Sequence, residues 1–186
     1  MKKEQAFSGL EAAIVLIAFV VVAAVFSYVM LGAGFFATQK AQEVTYSGIQ
    51  QATSNMVIDG NIYGTMGATG LKQIYFWVNV PIGGQAQKLS DVVFSWSSKQ
   101  NIGPTEVLHE TGTGDATASK FKATDGETTE VTTLQPGEKA YIAIGVPGTT
   151  LPAQGDWFTL EMKPKIGAAT LTKKTLTTGY DGGVIT

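Results

Sequence analysis

Residues 12–37 read AAIVLIAFVVVAAVFSYVMLGAGFFA, a run of 26 positions with no charged side chain and hardly a polar one. As an α-helix it spans about 39 Å at 1.5 Å per residue, more than the roughly 30 Å hydrocarbon core of a bilayer. Upstream, Ser8-Gly9-Leu10-Glu11 has the form of a capping box, with Ser8 as N-cap and Glu11 reaching back to its amide. Downstream, charge returns at Lys40, and between Lys40 and Ile58 there is no proline and one glycine, Gly48. Tyr46, Ile49, Thr53 and Met56 recur at spacings of three and four, one stripe of a helix. Asp59-Gly60-Asn61 is a stop and turn signal. One helix from about Gly9 to Ile58 is expected, about 75 Å long. A compact domain has no use for that length, so the helix must protrude, span a membrane or bundle with copies of itself.

The character of the chain changes after the helix. All six prolines, all three tryptophans and most glycines lie from Gly60 onward. From Leu71 the periodicity is two. Expected strands are Leu71–Val80, Leu89–Ser97, Thr105–Glu110, Ala118–Thr124, Glu130–Leu134, Lys139–Val146, Asp156–Lys163 and Ala168–Leu176. Phe158, Leu160 and Met162 alternate with Trp157, Thr159, Glu161 and Lys163, and Val92, Phe94 and Trp96 follow the same rule. Pro81 to Gly84, Gly103-Pro104, Gly112 to Asp115, Asp125-Gly126, Pro136-Gly137 and Pro147-Gly148 mark the turns between them. Short strands at such spacing predict an antiparallel sandwich or barrel, and an immunoglobulin-like β-sandwich is the expected fold. The fold class is therefore α+β. The Gly-rich stretch from Gly60 to Gly70 reads as a linker, and the β domain from about Gly64 on is expected to fold alone.

Composition excludes much chemistry. Net charge is −2, and the 13 basic residues are all lysine, which argues against a nucleic-acid partner. No cysteine means no disulfide and no thiolate metal site. His109, the one histidine, has no second ligand type beside it and reads as a surface or edge residue. Gly64 to Gly70 lacks the spacing of a phosphate loop and leads into a strand. Asp59-Gly60-Asn61 opens like a calcium loop, but Tyr63 and Gly70 stand where ligands belong. There is no G-x-S-x-G elbow, so no catalytic residue, metal or cofactor is expected. None of the four asparagines lies in an N-x-S/T sequon, while the 23 threonines leave O-glycosylation open.

Lys2 and Lys3 before the apolar run place the N-terminus in the cytoplasm and the β domain outside. The run is too long for a secretory signal, whose apolar region has about 7–15 residues. A single-pass anchor fits the hydropathy. The Ala/Val content and Gly32 and Gly34 favour close helix packing over a lone lipid-facing anchor.

Residues 7–36, FSGLEAAIVLIAFVVVAAVFSYVMLGAGFF, resemble the N-terminus of archaellins, the archaeal flagellins built on the type IV pilin plan. The resemblance is close over about the first 60 residues and continues in Lys163–Thr172. It implies a leader at residues 1–6, cleaved between Ala6 and Phe7, and a helix at 7–59 that spans the membrane before assembly and forms the filament core afterwards. It further implies a linker at 60–70 and an outer β-sandwich at 71–186. Glu11 becomes the fifth mature residue, where type IV pilins carry a glutamate able to pair with the new ammonium of Phe7; first-turn capping alone also accounts for a carboxylate there. The implied assembly residues are Phe7, Glu11, Ile14, Val15, Ile17, Ala18, Val21, Val22, Val25, Phe26, Val29, Met30, Phe35 and Phe36. Implied partners are copies of the chain, sister archaellins, a prepilin-peptidase-like processing enzyme, the archaellum assembly platform and ATPase, and the membrane. The function implied is non-enzymatic: a helically polymerising filament subunit for swimming, outside the cell. An adhesive type IV pilin and a monomeric membrane-anchored β domain that binds a ligand remain the alternatives.

Overall fold

A computed structural model of the chain describes residues 2–126 and 128–186, with the side chains of residues 2–8 outside the description. Helix α1 runs Lys2–Thr53 without a break. Among the described residues eleven strands follow: β1 Val57–Gly67, β2 Gly70–Asn79, β3 Gln87–Lys88, β4 Val93–Ser98, β5 Thr105–His109, β6 Lys120–Thr124, β7 Thr133–Leu134, β8 Lys139–Gly145, β9 Trp157–Lys163, β10 Thr170–Thr175 and β11 Gly183–Ile185. The chain divides into two compact units, residues 1–47 and 48–186.

In the β unit nine strands follow the order β10-β9-β4-β5-β6-β8-β2-β1-β11, and β3 and β7 pair separately. Strand β5 joins the two halves of this sheet. Its first residues pair antiparallel with β4 (Phe94↔Val107, Trp96↔Thr105), and its last two pair parallel with β6 (Leu108↔Lys120, His109↔Phe121). The β5–β6 pair departs from the all-antiparallel expectation because residues 110–119 return the chain to the same end instead of closing a hairpin. The halves face each other through aromatic side chains. Phe94 of β4 meets Phe76 of β2 at 6.1 Å and Phe121 of β6 at 4.7 Å, both edge-on, while within one half Trp96 of β4 stacks on Phe158 of β9 at 4.6 Å. All five are buried, each by the alternation that puts every second residue on one face.

The sequence reading and the structure part company at the helix–sheet junction. The helix was expected to reach Ile58 and a linker to occupy Gly60–Gly70; instead α1 ends at Thr53 and β1 begins at Val57. Three interactions stop the helix. The Gln85 amide donates to Ser54 Oγ at 2.9 Å, the Ala168 amide to Asn55 Oδ1 at 2.7 Å, and Met56 is fully buried in the β core. Met56 is therefore not part of a helical stripe, while Tyr46 and Ile49 stay exposed. Burial and strand pairing outweigh the weak helical preference of a Ser-Asn-Met segment. Gly60, with φ of +90°, sits where the β1–β2 register slips between Asp59 and Tyr63, so the apparent stop signal is a bulge inside a strand. Ala68-Thr69 forms the two-residue connection between Gly67 and Gly70. Gly64 is needed for close approach: a Cβ there would lie 2.7 Å from the Leu71 side chain and 2.8 Å from the Tyr180 hydroxyl. That hydroxyl donates to the carbonyls of Gly64 and Gly183 and ties β11 to β1.

At its other end α1 begins at Lys2, so Ser8 is inside the helix and does not cap it; the Ser8 side chain lies outside the described residues. Glu130–Leu134 shrinks to Thr133–Leu134 plus a single bridge between Thr124 and Glu130.

Candidate assembly surface

From Ala12 to Phe36 helix α1 is apolar on every side, and every described side chain from Leu10 to Phe36 is exposed. Exposure of the large apolar residues runs from 54% at Val15 to 81% at Tyr28. Among the described residues α1 is the one helix long and apolar enough to cross a membrane. Its polar groups are handled internally: Thr38 Oγ1 donates to the Gly34 carbonyl at 2.9 Å and Thr45 Oγ1 to that of Ala41 at 2.8 Å. Such back-bonding removes the cost of placing a hydroxyl in a dry environment. Among the described residues the first ion pair along the chain, Lys40–Glu43, lies beyond the apolar run.

The helix surface carries two depressions. Val15, Ala18, Phe19 and Val22 border one depression of about 250 Å³, and Val21, Val22, Val25, Phe26 and Val29 border a second of about 330 Å³. Residues 15, 18, 19 and 22 stand at i, i+3, i+4 and i+7, as do 22, 25, 26 and 29, the four corners of a hole that accepts a knob from a facing helix. Val22 is the corner the two holes share.

Of the residues expected to drive assembly, the structure brings Val15, Ala18, Val21, Val22, Val25, Phe26 and Val29 together around these holes. Ile14, Ile17, Met30, Phe35 and Phe36 are exposed elsewhere on the helix. Glu11 is exposed, and among the described residues no ion pair includes it. The side chains of Ala6 and Phe7, the expected cleavage pair, lie outside the described residues. Sequence reasoning missed Phe19, 73% exposed and lining the first hole, together with Leu16 and Val20. A helix apolar all round has no single binding face, so no spacing singles them out.

Among the described residues no three His, Asp or Glu side chains gather as a metal site. His109 is half-buried on β5, edge-on to Phe121 at 5.1 Å, with its buried Nε2 unpartnered.

Against known proteins, the archaeal-type flagellin family matches residues 6–174, across both units. The chain belongs to that family. A probable flagellin 2 of Archaeoglobus fulgidus is 38% identical over 190 residues, covering 94% of this chain and 91% of the relative. The archaeal flagellum of Methanospirillum hungatei strain JF1 superimposes with a TM-score of 0.74 at 50% identity, covering 96% of this chain and 99% of that one. The archaeal flagellin FlaB1 of Methanocaldococcus jannaschii matches with a TM-score of 0.57 over 70% of this chain and 95% of that one; its 11% identity speaks for the fold alone. As a flagellin-family chain with this filament match, it is a structural subunit of the archaellum, the extracellular motility filament. The adhesive-pilin and monomeric-anchor alternatives give way to that reading.

Proposed function

We propose that α1 holds the chain in the membrane as a precursor and then forms the core of a helical homopolymer, with assembly, not catalysis, as its whole task. The observation that carries this is the pair of knob-accepting holes sharing Val22 on a helix with no apolar side chain covered between Leu10 and Phe36. Each Val, Leu, Ile or Phe taken from water contributes about 1.5–3 kcal/mol, so the fifteen exposed together between Leu10 and Phe36 cannot stay in water. In lipid that drive vanishes and close packing must replace it, which the small residues Ala18, Ala23, Ala24, Gly32 and Gly34 allow. The heterologous contacts of such a helix do not close into a ring, so addition continues along a filament.

Maturation by a prepilin-peptidase-like enzyme between Ala6 and Phe7 releases an ammonium at Phe7, four residues from Glu11. An assembly platform and its ATPase then move the subunit out of the membrane, and sister archaellins can enter the same filament. Both proposals follow from the likeness of residues 7–36 to archaellins. Edman sequencing of filament subunits is expected to begin Phe-Ser-Gly-Leu-Glu; a subunit starting at Met1 would exclude the cleavage.

A second expectation concerns the β unit on its own. A fragment of residues 54–186 should be soluble, cooperatively folded and unable to form filaments, because most of its large apolar residues are inside and the apolar helix is gone. The fragment must begin before Met56. One starting at Gly64 loses Met56 and Ile62, which fill the core, and Val57, Ile58, Asp59 and Tyr63, which pair with β2. Filaments grown from the 54–186 fragment would move the assembly surface from α1 to the sheet.

A further inference from the structure

The outer face of β2, β8 and β6 carries a cavity of about 310 Å³ that the helix-core reading leaves unused. Its walls are Tyr75, Tyr141, Thr124 and Asp115, over small residues that keep it open. Tyr75 and Tyr141 stack with ring centres 5.8 Å apart, and Trp77 leans on Tyr141 at 5.3 Å. The Tyr75 hydroxyl donates to Asp115 Oδ1 at 2.9 Å and also contacts Gln73, whose buried amide donates to the Ala116 carbonyl. Burial and then Asp115 push the Tyr75 hydroxyl up to about 12, and burial followed by Asp115 raises that of Tyr141. The cavity therefore resists further negative charge. Asp115 is exposed, and among the described residues no ammonium stands within ion-pair distance of it. A carboxylate beside aromatic rings, without its own counter-ion, is the chemistry of an ammonium receptor.

Charge along the chain says where that ammonium comes from. Residues 106–130 hold six carboxylates against two lysines, net −4, and Asp115 lies among them. Residues 163–174 hold four lysines and no carboxylate, net +4. This second segment ends β9 and forms β10, the last strand at one edge of the nine-stranded sheet. Lys163 and Lys173 are exposed there, and Lys174 is half-exposed. Among the described residues none of these three is in an ion pair, although Lys173 lies over the Trp157 ring at 4.9 Å.

We propose that the Tyr75–Asp115–Tyr141 cavity receives a lysine ammonium from the β9–β10 edge of a second copy of the chain. The inference rests on the filament reading, which supplies the second copy at high local concentration. The contact is heterologous, cavity of one subunit to edge of the next, and so repeats along a polymer without closing. It also gives the edge lysines a task beyond keeping β10 from pairing with stray strands.

Native filaments treated with a zero-length carbodiimide test it. The expected product is a subunit dimer whose digest contains Asp115 joined by an amide to Lys163, Lys173 or Lys174. In a parallel measurement, acylation of one of these lysines is expected to be about tenfold faster in Asp115→Asn filaments than in wild-type ones. Asp115 is exposed, so the variant subunit should keep the wild-type circular dichroism spectrum. Dimers without an Asp115 link, or equal acylation rates in the two filaments, would overturn the cavity–lysine contact while leaving the filament intact. Failure of the wild-type chain to form filaments would instead remove the reading on which it rests.

Discussion

Cells that make only Val22→Asp subunits carry no filaments and do not swim, while the subunit is still recovered from the membrane and still begins at Phe7. One carboxylate at the centre of a membrane helix costs about 2.5–3.5 kcal/mol on the insertion scale, and the other residues of the 12–37 run are enough to hold it. The filament is less tolerant. Val22 is the corner common to two knob-accepting holes, so the charge enters both. On the proposed helix core, the same carboxylate recurs in every subunit, desolvated, unpaired and facing its own copies. Val22→Ala, which keeps the surface apolar, should still polymerise. Membrane fractionation with electron microscopy reads both halves of the result. Normal filaments from Val22→Asp would show that α1 does not pack around Val22.

The second large effect falls on the β unit. Phe94→Ala should destabilise it by about 3–5 kcal/mol, the usual cost of emptying a buried phenylalanine site. Phe94 is fully buried and touches Phe76 and Phe121, side chains of strands in the opposite half of the sheet. Its loss removes contacts from both sides of the core at once. For a unit of this size the thermal midpoint should fall by about 10–20 °C, measured by circular dichroism on the 54–186 fragment. A midpoint within about 2 °C of the parent would mean that the halves are held together elsewhere. Exposed positions such as Ile102 serve as controls and should move the midpoint little.

Much of this architecture is legible in the residues. The unbroken apolar run and the absence of proline before Pro81 leave a helix as the only satisfactory state for the first fifty residues. Strand β9 follows its alternation residue for residue, with Phe158, Leu160 and Met162 inside. The junction was not legible, because glycine signals two opposite things. Gly60 and Gly64 look like linker residues, yet one makes a bulge and the other makes room for Tyr180, a contact 116 residues away. Strands β3 and β11, of two and three residues, exist through their partners and have too few positions to show a period. Of the assembly residues, sequence supplied the helix and its apolar content. The grouping into holes needed the helix surface itself. The Tyr75–Asp115–Tyr141 cavity was invisible for another reason: its residues come from β2, β8 and the long β5–β6 connection, brought together by topology alone.

The end of α1 bears on how the β unit meets load in a rotating filament. Directly after Thr53 the chain is fastened at several points. Ser54 Oγ accepts from the Gln85 amide, and the buried Gln87 side chain donates to the carbonyls of Ser54 and Ile166. Asn55 Oδ1 accepts from the Ala168 amide, and Thr170 Oγ1 donates to the Met56 carbonyl. Gly84 and Gly167 lie so close that a Cβ on either would strike the backbone of Thr53 or Ser54. A pull arriving through Thr53 is thus divided at once between two loops, 84–87 and 166–170, that lead into different strands. Bonds loaded side by side must break together, whereas bonds loaded in series are undone one at a time, as a zip is. The joint is arranged in the first way, so a pull through Thr53 is shared by both segments at once.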